Sequence, residues 1–143
     1  MYYSKTVMDR FQNPRNAGGM HGANAIGQVG NVACGDIMKL YLKINDNGVI
    51  ENARFKTFGC CVAIAATDIA CDLVKGKTID EALKISNTDL MNILGEIPTH
   101  KIYCCILAEE AIRAAIEDYY KRREKESKMA IKKSMKNSEE IAE

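Results

Sequence analysis

The sequence is short of several things, and each shortage excludes a class of function. No apolar run approaches the roughly 20 residues that a bilayer crossing needs, so no membrane partner is expected. The opening residues, MYYSKTVMDR, lack a basic segment followed by an apolar one, so no secretory leader is expected and the reading is a cytoplasmic protein. Charge of one sign is missing as well. Twenty Lys and Arg stand against 19 Asp and Glu, and a net charge of +1 offers no electrostatic footprint for nucleic acid. Histidine is scarce: only His21 and His100 are present. A cysteine hydrolase or thiol oxidoreductase wants a base beside its nucleophile, and His21 lies in a Gly-rich loop where solvent exposure is the ordinary explanation. No CxxC ribbon is present either, so a metal signal must come from elsewhere.

What the chain does have is cysteine. Six are spread over 143 residues, at positions 34, 60, 61, 71, 104 and 105, four of them as two adjacent pairs. Neighbouring cysteines are poorly placed to bridge each other. In a reducing compartment, clustered cysteines point to metal binding or sulfur chemistry rather than to disulfides. Cys71, inside the apolar helical pattern TDIACDLVKG, reads as a core thiol.

The length suits a single domain with a core of its own. Residues 4–12 read as a short helix with Ser4 as N-cap, followed by a Gly-rich loop containing Pro14, over 13–24. Residues 26–32 are a weak strand. Met38, Leu40, Leu42 and Ile44 alternate with Lys39, Tyr41, Lys43 and Asn45, the period of a half-buried strand. Turn chemistry at Asn45–Gly48 joins it to a second alternating run over 49–58, giving a hairpin with one dry and one wet face. From Cys61 the period becomes helical until Gly76. Short helices follow at 78–85, with Thr78 and Glu81 in capping-box spacing, and at 87–95, begun by Asn87. A long helix is expected from about Thr99, with Ile102, Cys105, Ala108, Ile112, Ala115, Ile116 and Tyr119 on its apolar face. Beyond Tyr120 the chain becomes densely charged. Strands first and helices afterwards give an α+β fold: a three-stranded antiparallel sheet with helices packed on one face and a long C-terminal helix.

Three cysteine positions fall at junctions between these elements: Cys34 before the second strand, Cys60 after the third, and Cys104 near the start of the long helix. The hairpin brings Cys34, Asp36 and Cys60 to one end of the sheet, and a helix packed on that sheet can deliver Cys104 there. Three thiolates and one carboxylate form a four-ligand set suited to zinc or an iron–sulfur cluster. The carboxylate is the harder, less well matched donor, which suits a site that releases its cargo. Core cysteines or a redox pair are the competing readings at this point.

The segments NPRNAG (13–18), VACGDIMKLYLKI (32–44), GVIENARFKTFGC (48–60), AIAATD (63–68) and KIYCCILAEEAIRAAIEDY (101–119) resemble the iron–sulfur cluster scaffold family of the IscU/NifU N-terminal-domain type, in its order and spacing. The resemblance covers residues 2–120. It implies a domain over 1–120; by its charged composition, 121–143 reads as a helical extension or mobile tail outside it. The resemblance also implies a non-enzymatic scaffold that accepts sulfur from a cysteine desulfurase, assembles a [2Fe–2S] cluster and passes it to acceptor proteins. A cluster at a surface site can be covered by a second subunit, so a homodimer or higher oligomer is expected. The site residues it implies are Cys34, Asp36, Cys60 and Cys104, with Lys101 placed to attract anionic sulfur. Cys104, near a helix N-terminus and Lys101, is expected to carry a lowered pKa. A zinc-bound persulfide acceptor of the same fold is the alternative. Three features depart from the family pattern: Tyr103 stands where many members have His, IPTHK (97–101) stands for the chaperone-recognition segment LPPVK, and Cys61 and Cys105 replace small residues that are not thiols.

Overall fold

A computed structural model describes residues 3–31 and 35–142. In chain order the elements are α1 (Lys5–Gln12), β1 (Ala25–Asn31), β2 (Asp36–Ile44), β3 (Ile50–Phe58), α2 (Cys61–Val74), α3 (Ile79–Leu83), α4 (Asn87–Leu94) and α5 (Tyr103–Ala142). The strands form one antiparallel sheet in the order β1-β2-β3, so the expected α+β class and its three-stranded sheet are present.

The β2–β3 hairpin follows directly from its residues. Asn45 Oδ1 accepts hydrogen bonds from the amides of Asn47 and Val49, at 2.9 and 3.0 Å, which tightens the turn. Gly48 takes φ +77°, a conformation that strains any side chain. The register pairs Leu40 with Phe55 and Leu42 with Ala53, so the apolar faces of both strands point the same way. Met38, Leu40 and Leu42 are fully buried there, each contributing about 1.5–3 kcal/mol by leaving water.

Two helices cover this face, α2 over β3 and α5 over β1. The approach of α5 is close because β1 offers no side chain at Gly27. A Cβ there would lie 2.3 Å from the Ala115 nitrogen and 2.7 Å from the Ala111 carbonyl oxygen. Ala108, Ala111 and Ala115 give α5 a small-residue surface that lets the two backbones meet.

The N-terminal segment is held by a buried charge. Asp68 of α2 is fully buried and accepts from the Arg15 and Asn16 amides at 2.9 and 2.8 Å, from Asn16 Nδ2 at 3.1 Å, and from Arg10 at 2.7 Å. A carboxylate is tolerated in a core only when its lone pairs are used in this way. The chain then runs beside β3, exchanging bonds between Asn16, Gly18 and Phe55.

α4 begins at Asn87 as expected, with Ser86 as its N-cap: the Ser86 hydroxyl and the Asp89 carboxylate form a reciprocal capping box. One helix start differs from the sequence expectation. α5 begins at Tyr103, because Thr99–Lys101 form a separate 3-10 turn after Pro98. Ser4 caps α1 and Thr78 with Glu81 caps α3 as expected.

Candidate metal centre

Three elements converge at one end of the sheet. Asp36 is the first residue of β2, Cys60 is the N-cap of α2, and Cys104 lies in the first turn of α5. Donor atoms of all three lie within 4.8 Å of one another. The Cys60 and Cys104 sulfurs are 3.7 Å apart. That matches the roughly 3.8 Å edge of a tetrahedron with metal–sulfur bonds of about 2.3 Å. Asp36 is 3% exposed, and both its oxygens are engaged. Oδ1 accepts from the Cys60 amide at 3.3 Å, and Oδ2 accepts from the Tyr103 hydroxyl. Gly59 is required by this packing, since a Cβ there would lie 2.1 Å from Asp36 Oδ1.

The electrostatics divide the two thiols. Cys60 is lowered to about 5, first by the hydrogen bond with Cys104, against an opposing effect of burial, with help from the Ala63 and Val62 amides at the start of α2 and from Lys101. Cys104 moves the other way, raised by that same contact and by burial. The pair therefore holds one proton between two sulfurs. The expectation that Cys104 would be the low-pKa thiol is corrected: the free amides belong to α2 and reach Cys60, while Cys104 is buried behind it. The Lys101 ammonium is held charged, chiefly by Cys60, and lies 6.0 Å from the Tyr103 ring centre. Two thiols, a carboxylate and a nearby cation make a pocket for a thiophilic metal or a negatively charged metal–sulfur cargo.

Comparison with known proteins gives the family. The model of the NifU-like N-terminal domain matches residues 2–126. The chain belongs to the NifU-like N-terminal domain family. It is 52% identical over 127 residues to the protein named iron–sulfur cluster assembly scaffold protein IscU from Escherichia coli (strain K12), covering 87% of this chain and 98% of that one. It is 47% identical over 127 residues to the protein named IscU 1 of Archaeoglobus fulgidus, covering 89% and 82% of the two chains. A NifU-like protein from Brucella abortus shares the fold, with a TM-score of 0.69 at 18% identity over 82% of this chain and 94% of that one.

Within this NifU-like domain, the structure brings together Asp36, Cys60 and Cys104 of the expected ligand set; Cys34 lies outside the described residues. Cys105, beside Cys104, is fully buried, and burial raises its thiol to about 11. Cys61 is half-buried at the start of α2 and meets the Tyr3 phenol, whose pKa it raises. Neither Cys61 nor Cys105 belongs to the donor group found among the described residues. Cys71 is fully buried with its thiol pushed up by desolvation, as a core cysteine should be. His21 and His100 are exposed, and His100 sits in the 3-10 turn rather than on α5. Two features of the site were missed in the sequence. Tyr103 registers there only as an absent histidine, yet it donates to Asp36. Gly59 stands in the sequence only as the residue before Cys60, yet its lack of a side chain leaves room for the carboxylate.

Proposed function

We propose that this chain is a scaffold on which an iron–sulfur cluster is assembled and from which it is handed on. The observation that carries the reading is the convergence of Asp36, Cys60 and Cys104 within 4.8 Å, in a chain 52% identical to a named IscU scaffold. Cys34, one residue before the glycine that precedes Asp36, completes the proposed ligand set. The cargo is a labile [2Fe–2S] cluster. Thiolates bind its irons well, and the carboxylate, a harder donor, makes one position exchangeable. A cysteine desulfurase supplies sulfur, and Lys101 favours the arrival of an anionic group beside Cys60. Acceptor proteins take the cluster, and a second copy of the chain covers it while it is held. The role is that of a carrier in the cytoplasm rather than of an enzyme, with neither nucleic acid nor membrane as partner. Residues 1–120 form the scaffold domain, and 121–143 are a charged extension outside it.

A zinc-bound persulfide acceptor is the second reading, favoured by the sulfur spacing of 3.7 Å, which a single tetrahedral zinc also spans. One experiment separates the two. The protein is purified without oxygen, reconstituted with iron and sulfide, and assayed for iron, acid-labile sulfide and zinc per chain. Cluster formation that is lost in Cys34→Ser, Cys60→Ser and Cys104→Ser supports the scaffold. Tightly retained zinc with no cluster after reconstitution overturns it in favour of the relay.

A further inference from the structure

We propose that Tyr103 is a positioning residue that fixes Asp36 as a metal ligand. The inference deepens the site reading above and rests on Asp36 being one of its ligands.

A carboxylate at this position has two rotatable bonds and two oxygens with which to miss a metal. Backbone and side chain restrain both oxygens here, the Cys60 amide holding Oδ1 and the Tyr103 hydroxyl holding Oδ2. Each oxygen has a second lone pair, so both can still bind a metal while accepting these bonds. The absence of a Cβ at Gly59 lets the carboxylate sit against the strand end, and Tyr103 closes the side facing α5. Tyr103 is also the residue before Cys104, so the same turn of α5 that presents a thiol aligns the carboxylate with it. Tyr103 as a whole is 36% exposed, and its ring centre lies 6.0 Å from the Lys101 ammonium. The phenol therefore ties β2, α5 and the cation into one arrangement. It acts through Asp36 and not through the metal itself.

Partners that orient a metal ligand in this manner are typically worth 10–100-fold in metal affinity. Removing the hydroxyl leaves Asp36 Oδ2, in a nearly buried carboxylate, without its donor and free to turn from the site.

The test uses Co²⁺ as the probe, titrated into the full chain freed of metal, and follows affinity by competition with a chelator together with the visible ligand-field bands. Tyr103→Phe keeps the ring and removes only the donor. It is expected to weaken Co²⁺ binding about 10–100-fold and to alter the bands, while the thermal melt stays cooperative. In an Asp36→Ala background the same substitution is expected to have no further effect. If Asp36→Ala changes affinity and bands while Tyr103→Phe changes neither, the proposal is overturned and the ligand set stands. An equal effect of Tyr103→Phe in both backgrounds overturns it too, since the phenol would then act by packing. If Asp36→Ala itself moves nothing, the ligand reading of Asp36 fails and the proposal falls with it.

Discussion

Cys60 and Cys104 behave as one titrating unit, and the proton they share gives the site a measurable signature. An ordinary thiol titrates near 8.5. Cys60, lowered to about 5 by Cys104 and the first amides of α2, is a thiolate throughout the neutral range. In the metal-free protein, its alkylation by iodoacetamide should follow a midpoint near 5 and stay flat around neutrality, while buried Cys71 and Cys105 react slowly. Peptide mapping by mass spectrometry after timed alkylation, from acid to mildly alkaline pH, measures this. A Cys60 midpoint near the ordinary thiol value would show that neither the Cys104 contact nor the α2 amides hold its thiolate. The sign for stability follows from the same shift. Because the folded value lies below the unfolded one, the contribution of Cys60 is complete above roughly 8.5. It is lost as pH falls through about 5. Cys105 works in the opposite sense, with a stabilising contribution lost as pH rises through about 11. The sequence shows the sulfurs and Asp36 at element junctions, because ligands placed where strands end and helices begin leave a visible pattern. It does not show which thiol ionises, since that depends on contact between two sulfurs 44 positions apart and then on the α2 amides beside Cys60. The hydroxyl of Tyr103 is hidden for a similar reason: Asp36 and Tyr103 are 67 positions apart, and only the packing of α5 joins them.

At the scale of elements, the hairpin and α2 are legible because their periods are clean and their stops are chemical. Asn45–Gly48 makes the turn, and Gly76 takes φ +79° after α2. β1 is the weakest strand in the sequence, since Gly27 and Gly30 interrupt its apolar alternation. The structure gives that weakness a purpose. Gly27 admits α5 to backbone contact, so Gly27→Ala would drive a methyl group into Ala115 and Ala111. Overpacking of this kind typically costs about 1–3 kcal/mol, and a clash with helix backbone belongs at the upper end or beyond. Urea denaturation of the metal-free variant should show a lower midpoint with an unchanged slope. An unchanged midpoint would mean that α5 can slide away from β1 at little cost. The start of α5 is the least legible feature. Three residues of 3-10 turn carry no period that separates them from the helix that follows. Asp68 is also invisible in function from its place in an apolar helical run. Its partners, Arg10, Arg15 and Asn16, arrive from a segment more than 50 positions earlier.

For the whole molecule, the decisive asymmetry is between the two ends of α5. Its first turn carries Cys104 and Tyr103, and its middle packs on β1. From Tyr120 to Lys133 every residue is exposed. Lys128 and Glu124 form an i,i+4 ion pair there at 3.1 Å, both largely in water, and such pairs contribute only about 0.3–0.5 kcal/mol. Arg122 pairs with Asp118 at 2.8 Å and donates to the Ala23 carbonyl oxygen, and Arg123 lies against the Tyr119 ring. The family match ends at Glu126, and residues 127–133 are all exposed. From Cys104 to that point the helix rises roughly 33 Å at 1.5 Å per residue, so the extension begins far from the metal centre. Removing residues 127–143 should therefore lower the melting temperature by less than about 4 °C, the shift that roughly 1 kcal/mol produces in a domain of this size. Co²⁺ affinity should stay within a factor of about 2, since no ligand and no partner of a ligand is lost, and 1.4 kcal/mol would be needed for tenfold. Circular dichroism melts and the Co²⁺ titration measure the two quantities on one truncated chain. A large fall in melting temperature would place the extension within the folding unit, and a large fall in affinity with an intact melt would place part of it over the metal centre.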